Sequence, residues 1–167
     1  MFGKPFKYQQ KISLEGYTLG YLGSGIRKAL VFDLYSAALY SNNIFETTQD
    51  AIELEVPKIL VTNILTPLLS GAILSTIFKE ALSKTHFGSL PAIKKDVDDI
   101  IQIFKKGKIA RFDKFEFLTS PTVGFIAYQN GIKKYSCTNL LLAKAIFEVY
   151  LGSFHKNQDL PKSIVGV

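Results

Sequence analysis

What most constrains this chain is the stretch GSGIRKALVFDLYSAALY, Gly23 to Tyr40, which sets charge inside a long apolar strand pattern. From Ile26 to Tyr40 the only charged residues are Arg27, Lys28 and Asp33, while Val31, Phe32, Leu34, Ala37, Ala38 and Leu39 make both faces apolar. A strand of that kind is covered on both sides. A guanidinium cannot shed its proton, and burying it costs on the order of several kcal/mol unless an anion or a set of acceptors meets it. Arg27 therefore needs a partner: an internal one, such as Asp33 or a cluster of carbonyls, or a ligand.

The chain of 167 residues is long enough for one substantial core and reads as one domain, 1–167. Its 47% hydrophobic and 20% charged content excludes a disordered chain. The net charge of +6 raises the question of nucleic acid, but the lysines come in pairs (Lys94 and Lys95, Lys105 and Lys106, Lys133 and Lys134) without a basic block or an interleaved aromatic stripe. No nucleic-acid partner is expected. Cys137 is alone, so neither an internal disulfide nor a cysteine cluster can form, and His86 and His155 have no second ligand nearby in sequence. No metal and no cofactor are expected. The opening MFGKPFKYQQ lacks the apolar run of about seven or more residues that marks a secretory leader. That fits a cytoplasmic protein as the sequence stands, or a periplasmic one if a leader is removed, so the compartment stays open.

Ile59 to Phe78 runs without a charge and meets the bare length criterion for a membrane span. Asn63, Thr66, Pro67, Ser70 and Gly71 dilute it with groups that hydrocarbon would leave unsatisfied, so it reads as a buried core helix and argues against a membrane partner. Elsewhere Ile12 to Leu22 alternates as a strand, Gly23-Ser24-Gly25 reads as a turn or bulge, and one long strand runs from Ile26 to Tyr40. Ala51 to Val56 alternates as another strand, stopped by Pro57. Pro67 suits the first turn of a helix carrying Leu69, Ile73, Ile77 and Ala81. A second helix fits Pro91 to Lys106 and ends at Gly107, a residue tolerant of positive φ. Strands return at Arg111 to Leu118 and Val123 to Gln129, and Asn130-Gly131 signals a hairpin into Ile132 to Ser136. Thr138 caps a last helix bearing Leu142, Ala145, Ile146 and Val149, followed by a short tail. This order gives an α+β fold, an antiparallel sheet with helices on one face and room for a ligand between them.

Familiar catalytic templates fail on spacing. Lys28 stands where a dinucleotide fingerprint needs its third glycine, and no phosphate loop, H-E-x-x-H or G-x-S-x-G string occurs. The acidic pairs Asp98-Asp99 and Glu53 with Glu55 read as solvated charge.

The G-x-G-x-R string followed by an apolar strand ending in A-L-Y resembles the chalcone isomerase-like proteins, especially their bacterial members. Phe78-Lys79-Glu80-Ala81-Leu82, Thr119 to Gly124, Asn130-Gly131 and Phe147 to Gly152 look like that family's landmarks in the same order, over about residues 18 to 166. The resemblance implies an open-faced sandwich, one large antiparallel sheet covered on one face by helices, with a cleft for an amphipathic ligand. In the plant enzymes the arginine at the position of Arg27 meets the substrate's oxyanion, a task its permanently charged fork of donors suits. The threonine of the isomerases falls near Tyr35, as in fatty-acid-binding relatives where arginine and tyrosine grip a carboxylate. The mid-chain catalytic tyrosine has no counterpart, because no Tyr occurs between Tyr40 and Tyr128. Its asparagine partner falls near Ala81, and the late hydroxyl residue near Val149.

The expectation is a non-catalytic member binding a small amphipathic carboxylate or phenol, such as a fatty acid, through Arg27 and Tyr35. Val31, Leu69, Ile73, Ile77, Phe125 and Ile146 are the candidate lining. The alternatives are an isomerase or intramolecular lyase acting on an unsaturated ketone, with Arg27 as electrophilic stabiliser and no other catalytic residue assigned, and a membrane-associated structural protein. Eight residues of straight strand separate Arg27 from Tyr35 by about 26 Å, too far for one carboxylate without a reversal, and no Gly, Pro or Asn marks one. The sequence leaves the oligomeric state open.

Overall fold

A computed structural model describes residues 7–29 and 31–167. Seven strands pair in chain order as one antiparallel meander: β1 (Lys11–Leu14), β2 (Tyr17–Ala29), β3 (Phe32–Ser41), β4 (Lys58–Ile64), β5 (Lys114–Ser120), β6 (Gly124–Gln129) and β7 (Ile132–Cys137). The helices are α1 (Thr48–Glu53), α2 (Gly71–Ser83), α3 (Lys94–Lys106), α4 (Leu140–Leu151) and α5 (Asp159–Val165). The expected α+β architecture, with helices laid on one face of the sheet, is present.

Strand parity divides the sheet cleanly. Ala37, Leu39, Leu60, Phe117 and Phe125 pack beneath the helices. Ala38, Tyr40, Ile59, Val61 and Leu118 face the other way, into a second cluster that takes in Tyr8, Ile12, Tyr17 and Tyr21. The second face is thus covered by the chain's own first hairpin. The Tyr17 hydroxyl donates to Ser120 Oγ at 2.9 Å, and Tyr128 donates to Glu15 on the β1–β2 turn. Because both faces are covered, all seven residues of β4 are buried.

Several expectations from sequence change. The segment from Ile26 to Tyr40 is two strands, with Lys28 opposite Asp33 and Ala29 opposite Phe32. Ala51 to Val56 is no strand: Thr47 accepts from the Asp50 amide at 3.1 Å and starts α1, which buries Ala51 and Ile52, while Pro57 precedes β4. The uncharged run Ile59 to Phe78 is most of β4, a loop containing Pro67, and the first half of α2, which is capped by Ser70. Among the described residues no helix is long and apolar enough to cross a membrane. Asn139, not Thr138, caps α4, accepting from the Leu141 amide at 3.1 Å. Gly107 ends α3 with an extended φ of −76°. Asn130 and Gly131 have φ of 50° and 80° and close the β6–β7 hairpin as expected.

Gly23 and Gly25 are not a turn but lie within β2, next to a register shift between Tyr21 and Gly23. A Cβ on Gly23 would stand 2.2 Å from the Ser163 carbonyl oxygen, and one on Gly25 would stand 2.5 Å from Leu160 Cδ1. Bare backbone is what lets α5 lie on β2, where Ser163 Oγ donates to the Ser24 carbonyl at 2.7 Å. The tail of the sequence, which carries little periodicity, forms the helix that presses the arginine strand into place.

Candidate functional site

A cavity of about 260 Å³ lies between the sheet and the helices. Its floor is the inner face of β3 to β5, with Tyr35, Thr62, Ile64, Phe115 and Phe117. Its roof is α2, through Leu74, Ile77, Phe78 and Ala81, and α4 with the loop after it closes the side through Val149, Tyr150, Phe154 and His155. Arg27 enters from β2.

The reversal between Ala29 and Phe32 brings Arg27 and Tyr35 together. They are direct cross-strand partners, and such pairs hold their Cβ atoms about 5 Å apart. The separation expected of one straight strand is overturned, because the chain reverses between Ala29 and Phe32 without a glycine, proline or asparagine there. Asp33 is taken by Lys28 at 3.7 Å. Among the described residues the half-buried Arg27 side chain has no hydrogen bond and no ion pair, so the internal partners considered for it from sequence are not engaged.

The groups around Arg27 are polar and neutral. Burial pushes the Tyr35 hydroxyl up to about 12, with the Arg27 charge pulling the other way. Burial and the neighbouring Tyr35 raise Tyr150, whose ring meets that of Tyr35 edge-on at 5.5 Å. Thr62 Oγ1 lies near enough to Tyr150 to temper that rise, but it is buried with no hydrogen bond among the described residues. His155 Nε2 donates to the Val149 carbonyl at 2.8 Å, leaving Nδ1 as the acceptor. Burial lowers its pKa, the Val149 bond opposes this, and the Arg27 charge adds to the lowering. Lys84 and Glu80, at the rim, pair with each other at 3.6 Å. An unpaired guanidinium among neutral hydroxyls, at the end of an aromatic and aliphatic chamber, suits an anion with an apolar body.

Of the residues singled out from sequence, Arg27, Tyr35 and Ile77 line the cavity. Ile73 sits one turn earlier on α2, 47% exposed and outside it. Leu69, Phe125 and Ile146 are buried in the core under the helices and do not line the cavity. Val31 is 88% exposed on the β2–β3 turn. Phe115 and Phe117 were visible in the alternation of β5, and Thr62 would have been once β4 was read as a strand. Nothing in the sequence marks His155. Ala81 and Val149, where the resemblance sets polar groups in the enzymes, line the cavity as apolar residues. Among the described residues no cluster of His, Cys, Asp and Glu is arranged to hold a metal.

The sequence pattern of the family described as chalcone isomerase-like matches residues 4–166. The chain belongs to the chalcone isomerase-like family. Among solved structures, this chalcone isomerase-like protein is similar to a fatty-acid binding protein of Arabidopsis thaliana, with a TM-score of 0.66 and 15% identity over 93% of this chain and 96% of that one. At that identity the likeness is one of fold. No functionally curated protein matches the sequence.

Proposed function

We propose that this chalcone isomerase-like protein binds a small amphipathic carboxylate, such as a fatty acid, without turning it over. The acid group sits on Arg27 and Tyr35, and the chain lies along the aromatic floor under α2. The observation that carries this reading is Arg27, a permanent cation in the cavity lining with no ion pair among the described residues. A bound carboxylate supplies the missing charge, and the Tyr35 hydroxyl, held protonated, donates a further hydrogen bond. The cavity is small, below the range of about 300 to 1,000 Å³ of most ligand pockets, so a long chain would protrude past Ile77, which is half exposed. The fatty-acid binding activity named for the similar Arabidopsis protein supports the ligand class.

Calorimetric titration with saturated fatty acids of graded length tests the reading. The parent binds a medium-chain acid, the matching alcohol binds at least tenfold more weakly, and Arg27→Ala abolishes the difference. Equal binding of acid and alcohol by the parent would reject it. A chalcone cyclisation assay followed by absorbance probes the isomerase reading on the same samples.

A further inference from the structure

Among the described residues, large hydrophobic side chains are exposed on the β2–β3 turn (Val31 at 88%, Phe32 at 50%), at Phe112 (54%), at Leu68 (60%) in the loop before α2, and on α2 itself (Ile73 at 47%, Ile77 at 46%). Val31, Phe32 and Phe112 line an open groove of about 520 Å³ with Lys28, Arg111 and Pro67. Groove and cavity draw on adjacent stretches of chain, since Lys28, Asp33 and Leu65 of the groove follow or precede Arg27, Leu34 and Ile64 of the cavity in sequence. Ile77 carries the apolar surface on to the cavity rim. Exposed apolar patches of this kind on a soluble surface mark contacts with proteins or membranes.

We infer that this face docks on a lipid bilayer bearing anionic head groups, so that the cavity opens toward the acyl layer. The inference rests on the lipid-like ligand proposed above. Charge selects the occupant: Arg27, Lys28, Lys84 and Arg111 line the two openings against Asp33 and Glu80, a local excess of two cations on a chain of net charge +6. Two copies meeting through this face would oppose like charge. A bilayer instead offers hydrocarbon to the exposed tips and anions to the cations beside them. Arg111 is braced for that work, its Nε donating to the Leu65 carbonyl at 3.0 Å and its guanidinium lying 4.7 Å over the Phe112 ring.

Flotation of the full chain with vesicles of phosphatidylcholine, with and without one-third phosphatidylglycerol, tests the inference. The parent is expected to float with the anionic vesicles at least tenfold more than with the neutral ones, and to be released by high salt. Val31→Asp with Leu68→Asp, at exposed positions off the cavity lining, should cut flotation at least tenfold and leave titration with free fatty acid unchanged. A parent that does not float at low salt, or a double variant that floats like it, overturns the docking surface. So does a double variant that turns a dimer into a monomer in sedimentation without any vesicle binding by the parent, which assigns the face to a second copy. Fatty-acid binding without flotation rejects the docking and keeps the cavity reading. Flotation without fatty-acid binding does the reverse.

Discussion

Both faces of the sheet are covered, but they differ in what their polar groups do. On the outer face the hydroxyls are committed: Tyr8 bonds Ser36 at 2.6 Å and receives Asn63 Nδ2 at 3.2 Å, Tyr40 donates to the Gln9 carbonyl at 2.9 Å, and Tyr17 reaches Ser120. On the inner face Arg27 and Thr62 have no partner among the described residues, and Tyr35 and Tyr150 crowd against each other beside a cavity. The same contrast separates two buried cations. Lys58, 2% exposed, gives its protons to the carbonyls of Ala51, Ile52 and Leu54 at the end of α1 and lies 4.9 Å over the Phe147 ring. Arg27 gives its donors to no described residue. Buried polar groups that hold a fold together are paired within it, and the pairing that the outer face and Lys58 have is what the proposed carboxylate would bring to Arg27.

The sharpest way to break this contrast is Arg27→Ala. Losing one side of a charge-assisted contact predicts fatty-acid binding weakened about 100-fold or more by calorimetry, with unfolding in urea changed by less than about 1 kcal/mol. A large loss of stability would mean that the arginine is structural after all.

Lys58 should behave oppositely. Burial, with Lys144 nearby, brings its pKa down to about 7, so between about pH 7 and 10 the unfolded chain binds the proton that the folded one has shed. Stability of the parent, measured against Lys58→Met, should rise across that window by on the order of a few kcal/mol and flatten below it. A flat difference would break the assignment.

Tyr8→Phe removes the partner of Ser36 and of the buried Asn63 amide. The expected cost is about 1 to 3 kcal/mol in urea unfolding, with fatty-acid affinity unchanged. Thr62→Val should do the reverse in sign, stabilising the fold by up to about 1 kcal/mol by removing an unpaired hydroxyl. A loss of stability there would show that the hydroxyl is paired with Tyr150 in solution.

How much of this was legible in the sequence depends on how each element declares itself. Asn130-Gly131 and the amphipathic face of α3 carry local chemistry that only one conformation satisfies, and both were readable. β4 was not: a short apolar run covered on both faces has no period to distinguish it from a buried helix. The turn after Ala29 has no glycine or asparagine, and its one trace is the oppositely charged pair Lys28 and Asp33, spaced to face each other across it. Arg27 stood out because a charge in an apolar strand is costly wherever the strand goes. The rest of the cavity wall comes from six separate elements, and their convergence is a property of packing that no local pattern encodes.

The seating of α5 on the bare backbone of Gly23 and Gly25 has a consequence for the order of assembly. The strand bearing Arg27 leaves the ribosome well before the segment that clamps it, which follows 139 residues later at Ser163. During synthesis the arginine strand waits for those 139 residues before α5 can seat on it, so its clamping is a late, long-range step of folding and not a local one.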